Sequence, residues 1–230
     1  MATKSEVAAT IVTTALALAQ SQGWNRVTLA AIADASGLKP DRVYGEFQTK
    51  DAILRAFARR IDAEVLKEPL DSGGTVRDRL FDLLMRRFDA LEPHRAAIRA
   101  ILHDTIGDPV AALSGLCAVH RSMSLTLEAA GVSASGPFGR LRANALAALY
   151  LRTFYDWLQN DADHSDDRTM SQLDKALTRA ERIAISLAGQ RERLQARRQA
   201  RRTARRRTKD EDVGDVETNA AGAAEASEQA

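Results

Sequence analysis

Residues 27–54, VTLAAIADASGLKPDRVYGEFQTKDAIL, spell two short helices joined by a tight turn and followed by a third, the pattern of a helix-turn-helix reader of DNA. Thr28 stands at the N-cap position, and Leu29, Ile32 and Ala33 then recur at helical spacing as one apolar face. Ser36-Gly37 ends that helix. Gly37 admits a positive φ where two helices meet steeply, and Leu38 pins the turn from inside. Pro40 opens the second helix where its missing N–H costs nothing. Within that helix, roughly residues 39–46, Val43 and Phe47 face inward, which leaves Lys39, Asp41, Arg42, Tyr44 and Gly45 on or near the outer face. Thr49 is placed to cap a third helix. Lys50 in its first turn sits where side chain and helix N-terminus together suit a phosphate oxygen.

The run Thr28-Leu29-Ala30-Ala31-Ile32-Ala33, then Ser36-Gly37-Leu38, then Val43-Tyr44-Gly45-Glu46-Phe47-Gln48-Thr49-Lys50-Asp51-Ala52-Ile53-Leu54 resembles the N-terminal domain of TetR-type transcriptional regulators. The resemblance covers about the first sixty residues. Lys39 stands where that family usually has Ser, and Glu46 where it usually has His. It implies an all-α protein: a three-helix helix-turn-helix domain followed by a helical bundle that binds a ligand and dimerises. It further implies a homodimer that binds a double-stranded operator, usually as a repressor, and answers to a small-molecule effector. No enzymatic activity and no cofactor are expected. DNA contacts then fall to Thr28, Lys39, Pro40, Asp41, Arg42, Tyr44, Gly45 and Lys50. Arg42 suits a guanine edge, Thr28, Tyr44 and Lys50 suit phosphate, and Asp41 and Glu46 suit the amino group of cytosine.

Composition agrees with this class. The chain has 230 residues, 45% of them hydrophobic, enough for a sizeable core, and its scarcity of aromatics leans towards helices. The formal charge of +2 hides an asymmetry. Residues 191–209 hold ten Arg or Lys and residues 191–230 hold eight acids, so residues 1–190 carry 23 of each sign. Residues 1–60 have eight bases against five acids, the sign expected of a DNA-binding domain. A single cysteine, Cys117, excludes an internal disulfide and fits a reducing cytoplasm. The run Val7–Ala19 imitates a signal-peptide core, but Glu6 spoils its positive flank and three threonines interrupt it. No stretch is expected to approach the length of a membrane span.

Taken in order, Val7, Ile11, Ala15 and Leu18 form a helical stripe that braces the reading pair. A helix over Ala52–Leu66 packs on it through Ile53, Phe57, Ile61 and Val65, and the resemblance makes this the link between the two domains. Domain boundaries are expected as 1–66 for DNA reading, 75–190 for effector binding and dimerisation, and 191–230 for a tail that is first basic, then acidic, and disordered. That tail suits nonspecific phosphate or anionic lipid. Helices are expected over 76–91, 95–102, 110–130, 138–160 and 170–188, with Leu113, Leu116, Met123 and Leu127 facing inward on the third of these. The fourth is apolar nearly all round and needs cover on two sides, one of them assigned to a second copy. Leu146, Leu149, Thr153, Leu173, Leu177, Ala180 and Ala184 are the expected dimer interface.

The residues offer no catalytic constellation. The four histidines lack metal-ligand spacing, although His103-Asp104 with Asp108 and His120 form the one candidate polar cluster, and no phosphate loop or nucleophile elbow occurs. The resemblance implies an effector pocket, and Leu102, Leu116, Cys117, His120, Met123, Phe138, Tyr150, Phe154 and Trp157 lie on the helices that would enclose it, which favours an apolar ligand. A second resemblance, over Leu146–Ile183, is to the lipid-binding family of ubiquinone biosynthesis, which shares this architecture without reading DNA. It implies the alternative of a lipid- or quinone-binding protein.

Overall fold

Helix α1 (Lys4–Gln22) opens the chain, held at its start by a capping box in which the Thr3 hydroxyl accepts from the Glu6 backbone N–H and the Glu6 carboxylate accepts from that of Thr3. The computed structural model describes residues 3–70, 73–105, 107–159 and 168–182, and among them every regular element is helical. Ala184 and the expected tail lie outside these residues. The chain divides into two compact units, 1–177 and 178–230.

Local chemistry sets the first four helices. After α1 comes a 3-10 turn, Trp24–Arg26, and then α2 (Leu29–Ser36), whose N-cap Thr28 accepts from the Ala31 N–H at 3.1 Å. Gly37 follows with φ 67°, a left-handed conformation that a side chain would penalise. Pro40 starts α3 (Pro40–Glu46), and Thr49 caps α4 (Lys50–Val65) through the Ala52 N–H at 3.2 Å. Ile11, Ile32, Val43 and Ile53, one from each helix, are wholly buried and close a common core. Each such side chain contributes about 1.5–3 kcal/mol by leaving water.

The rest is a bundle: α5 (Val76–Leu91), a 3-10 turn at Glu92–His94, α6 (Arg95–Thr105), α7 (Pro109–Ala129), α8 (Gly136–Gln159) and α9, helical residues 168–182. α6 outruns the expected 95–102 because no breaker intervenes before Gly107-Asp108-Pro109. Leu83, Leu84 and Phe88 of α5 meet Met123 and Leu127 of α7, Trp157 of α8 and Leu173 of α9 in the core.

Three expectations need correction. Leu113 and Leu116 of α7 do not face inward. They are 63% and 52% exposed, because cavities rather than packed helices flank the first half of α7. On α8 and α9, Leu146, Thr153, Leu173 and Leu177 are buried within the chain's own core, Leu149 is half-buried and Ala180 exposed. A helix apolar on every side does not announce which side is inner, and the bulky Tyr150 and Trp157 turned α8 this way. Its outward stripe is Leu141, Ala145, Ala148, Arg152 and Tyr155. Lastly, among the described residues α7 is long and apolar enough to cross a membrane by length and composition, since only Arg121 and Glu128 charge its 21 residues.

Candidate nucleic-acid interface

The outer face of α3 presents Lys39, Pro40, Asp41, Arg42, Tyr44 and Gly45, all exposed. Lys39 is the N-cap of α3 without using its side chain, so its ammonium is left for solvent or a partner. Arg42 has no ion-pair partner among the described residues, and Tyr44 keeps 48% of its surface although it is a large ring. Val43 is completely buried and Phe47 nearly so, which locks the helix by its opposite side. The result is a rigid wedge with one short row of polar side chains, the form that enters a major groove.

Two residues sit otherwise than the sequence suggested. Glu46 turns from this row towards α1, its carboxylate 3.8 Å from the Lys4 ammonium. The Lys50 ammonium folds back to donate to the Trp24 carbonyl at 2.9 Å and lies over the Trp24 ring, 5.0 Å from its centroid. Burial pulls the Lys50 pKa below the usual lysine range. An ammonium has three donors, so one bond to Trp24 leaves others for a phosphate. Thr28 has its hydroxyl engaged as the α2 cap.

The polar cluster read from the sequence resolves into separate structural duties. Asp108 caps α7, accepting from the Val110 and Ala111 N–H groups. His120 is half-buried on α7, and His103 is exposed beside Asp104 at 3.2 Å. No group of three metal-binding side chains occurs among the described residues. Asp104, near the end of α6, instead accepts from the Asn25 backbone N–H at 3.0 Å and so grips the 3-10 turn of the DNA-reading half. Gly23 makes room for it. Its φ is 84°, and a Cβ there would stand 2.9 Å from the Asp104 carboxylate. Sequence reasoning missed this contact because Gly23 and Asp104 are far apart in the chain, and only the glycine before Trp24 hinted at a close approach.

The Asn25 backbone N–H and then the His103 side chain hold the Asp104 carboxyl below the usual aspartate range. A depressed folded-state pKa means stabilisation that is complete above the unfolded aspartate value and lost as pH falls through the folded one. Wild-type stability is therefore expected to drop through that acidic window more steeply than that of Asp104→Asn. Unfolding midpoints taken between neutral pH and the acid limit check this, and parallel profiles would refute it.

The expected pocket residues scatter. Leu102, Leu116 and Phe154 line a cavity of about 500 Å³ between α4, α6, α7 and α8, while Cys117 lines a second of about 500 Å³ between α4 and α7. Met123, Tyr150 and Trp157 belong to the solid core, where Trp157 stacks against Phe88 and Phe154. Phe138 is exposed at the start of α8.

Residues 11–57 match the family model described as bacterial regulatory proteins, tetR family. A TetR transcriptional regulator from Nitrosomonas europaea ATCC 19718 aligns at 27% identity and a TM-score of 0.63, over 76% of this chain and 97% of that one. Another, from Rhodococcus sp. RHA1, aligns at 20% identity and 0.55, over 76% and 96%. The Thermus thermophilus repressor FadR, solved with lauroyl-CoA, aligns at 19% and 0.50, over 74% and 91%. No curated protein matches the sequence. The resemblance to the ubiquinone-biosynthesis lipid binders is not favoured by these matches.

Proposed function

We propose that the chain is a regulator of the TetR family and, from that premise, a homodimeric cytoplasmic repressor, released from its operator when an apolar ligand fills the cavity between α4, α6, α7 and α8. Residues 1–66 read DNA and residues 75–190 bind effector and partner. The observation that carries this reading is the exposed row Lys39 to Gly45 on a helix whose other side is locked by Val43 and Phe47. Arg42 addresses a base edge and Asp41 the amino group of a cytosine; Thr28, Lys39, Tyr44 and Lys50 address phosphates; Pro40 and Gly45 allow close approach. The outward stripe of α8, from Leu141 to Tyr155, meets its copy across a two-fold axis, which suits half-sites one DNA turn apart.

Coupling follows from the walls of the cavity. α4 lines one side and runs into the DNA-reading half; α6 lines another and ends at the Asp104 grip on Asn25. A ligand that wedges these helices apart shifts both supports of the reader together. The shift is worth no more than the ligand's differential affinity for the two arrangements, typically about 1–3 kcal/mol.

A salt series tests DNA binding on the promoter fragment upstream of the protein's own reading frame. Log affinity is expected to fall linearly with log salt, and Lys39→Ala to make the slope shallower by about two for a dimer, one phosphate per protomer. Equal affinity for scrambled DNA at every salt concentration would defeat the proposal.

A further inference from the structure

The cavity between α4, α6, α7 and α8 is walled by Phe57, Ile98, Ile101, Val119, Leu151 and Phe154 and has only Asp51 and Arg55 as charged lining among the described residues. It is a compartment for hydrocarbon. The second cavity shares Arg55, Ser114 and Ala118 with it, so the two open on either side of one seam where α4 crosses α7. Along this seam Arg55 donates to the Ser114 hydroxyl at 3.4 Å.

The second cavity, also largely apolar, carries more charged side chains in its lining. Arg55 and Arg59, one turn apart on α4, and Arg121 on α7 all line it. None of the three has an acidic partner among the described residues. The one carboxylate in the lining is Asp62, and it is already bound by the Arg87 guanidinium at 2.5 Å and by the Ser122 hydroxyl at 2.9 Å. Three arginines without an acidic partner among the described residues therefore line one cavity beside the apolar Val110 and Leu113. Guanidinium is the side chain best matched to a carboxylate or phosphate, through paired charge-assisted hydrogen bonds. A neutral ligand leaves this positive field unanswered, and a cation is repelled by it.

We propose that the effector is an anionic amphiphile whose hydrocarbon tail occupies the apolar cavity and whose carboxylate or phosphate head is held across the α4–α7 seam by Arg55, Arg59 and Arg121. This rests on the apolar cavity being the effector site. The head draws α4 and α7 together beside Asp62 while the tail spreads α4 from α6, so a single molecule acts on both faces of the linking helix. Head and tail divide the work: the tail supplies affinity and the head supplies selection among apolar metabolites.

The full-length protein is titrated calorimetrically with dodecanoate, dodecyl phosphate and dodecanol, each below its micellar concentration and at one ionic strength. Both anions are expected to bind about tenfold or more tightly than the alcohol, with the ratio between them naming the preferred head. Arg59→Gln/Arg121→Gln, which leaves the lining of the apolar cavity intact, is expected to bring the anions most of the way down to dodecanol and leave dodecanol unchanged. Both arginines are exposed, so the variant's unfolding midpoint should match wild type. Equal affinity for alcohol and anions in the wild type, undiminished anion binding by the variant, or no binding of any of the three overturns the proposal. The same ligands added to the protein–promoter complex separate the two claims, because release by dodecanol as readily as by dodecanoate retains the apolar effector while removing the anionic one.

Discussion

Arg87→Met is expected to lower the free energy of unfolding by about 3–5 kcal/mol, the cost of breaking a buried ion pair from one side. Arg87 is buried on α5 and its guanidinium is shared three ways: to the Asp62 carboxylate on α4 at 2.5 Å, to the Ser122 hydroxyl on α7 at 3.2 Å and to the Tyr150 hydroxyl on α8 at 3.3 Å. Ser122 in turn donates to the second Asp62 oxygen at 2.9 Å, and Arg87 also lies over the Tyr150 ring. Burial pushes the Tyr150 phenol above the usual tyrosine range, so it stays neutral and polar. Removing the guanidinium leaves the buried Asp62 carboxylate with the Ser122 hydroxyl but without its ion-pair partner, and that uncompensated charge, more than the lost attraction, sets the cost. Asp62→Leu/Arg87→Met removes both charges together and is expected to recover most of the stability. Denaturant unfolding of the two singles and the double gives the coupling energy directly, and an additive double mutant would contradict this account. For a bundle of this size the single substitution corresponds to a fall of roughly 6–20 °C in melting temperature.

The network also bears on regulation. It joins α4 to three helices of the bundle through groups that are satisfied only in one register, whereas an apolar replacement packs nearly as well in several. The double variant is therefore expected to stay folded while its promoter affinity answers less to ligand. DNA binding with and without dodecanoate, measured beside wild type, is the readout.

How much of this was legible in the sequence depends on the range of the interactions concerned. Thr28, Gly37, Pro40 and Thr49 act on backbone within four residues of themselves, and each was found in the role its chemistry suggests. Val43 and Phe47 followed from helical period, which left the outer row of α3 by subtraction. The buried network spans α4 to α8, and no local rule joins Asp62, Arg87, Ser122 and Tyr150. A signal was nonetheless present. Asp62 directly follows Ile61 on an apolar stripe and Arg87 lies between Leu84 and Phe88, so both charges fall on helix faces otherwise bound for the core. Such a charge needs a partner from another buried face. Lys50 shows the reverse limit: its place at a helix start suggested a phosphate, but the Trp24 carbonyl was near enough in space to accept a hydrogen bond from its ammonium first. The orientation of α8 was hidden because apolar residues on all sides carry no direction.

Arg42→Ala is expected to bring the largest change in function. The side chain is exposed on α3 and has no acidic partner among the described residues, so truncation leaves the fold alone. A bidentate contact to a base edge is worth about 1–3 kcal/mol of discrimination, and a two-fold complex makes it twice, so specific affinity should fall by about 2–6 kcal/mol, or roughly 30-fold to more than 10⁴-fold. Binding to scrambled competitor should change far less, because Lys39, Tyr44 and Lys50 still meet phosphate. Lys50→Ala serves as the contrasting variant. It removes a phosphate contact and also the bond to the Trp24 carbonyl, so it should weaken every sequence alike and lower the unfolding midpoint as well. Competition gel shifts on the promoter fragment separate the two patterns. If Arg42→Ala lost specific and nonspecific binding in the same proportion, Arg42 would be a phosphate anchor and the base would be read by another residue of α3.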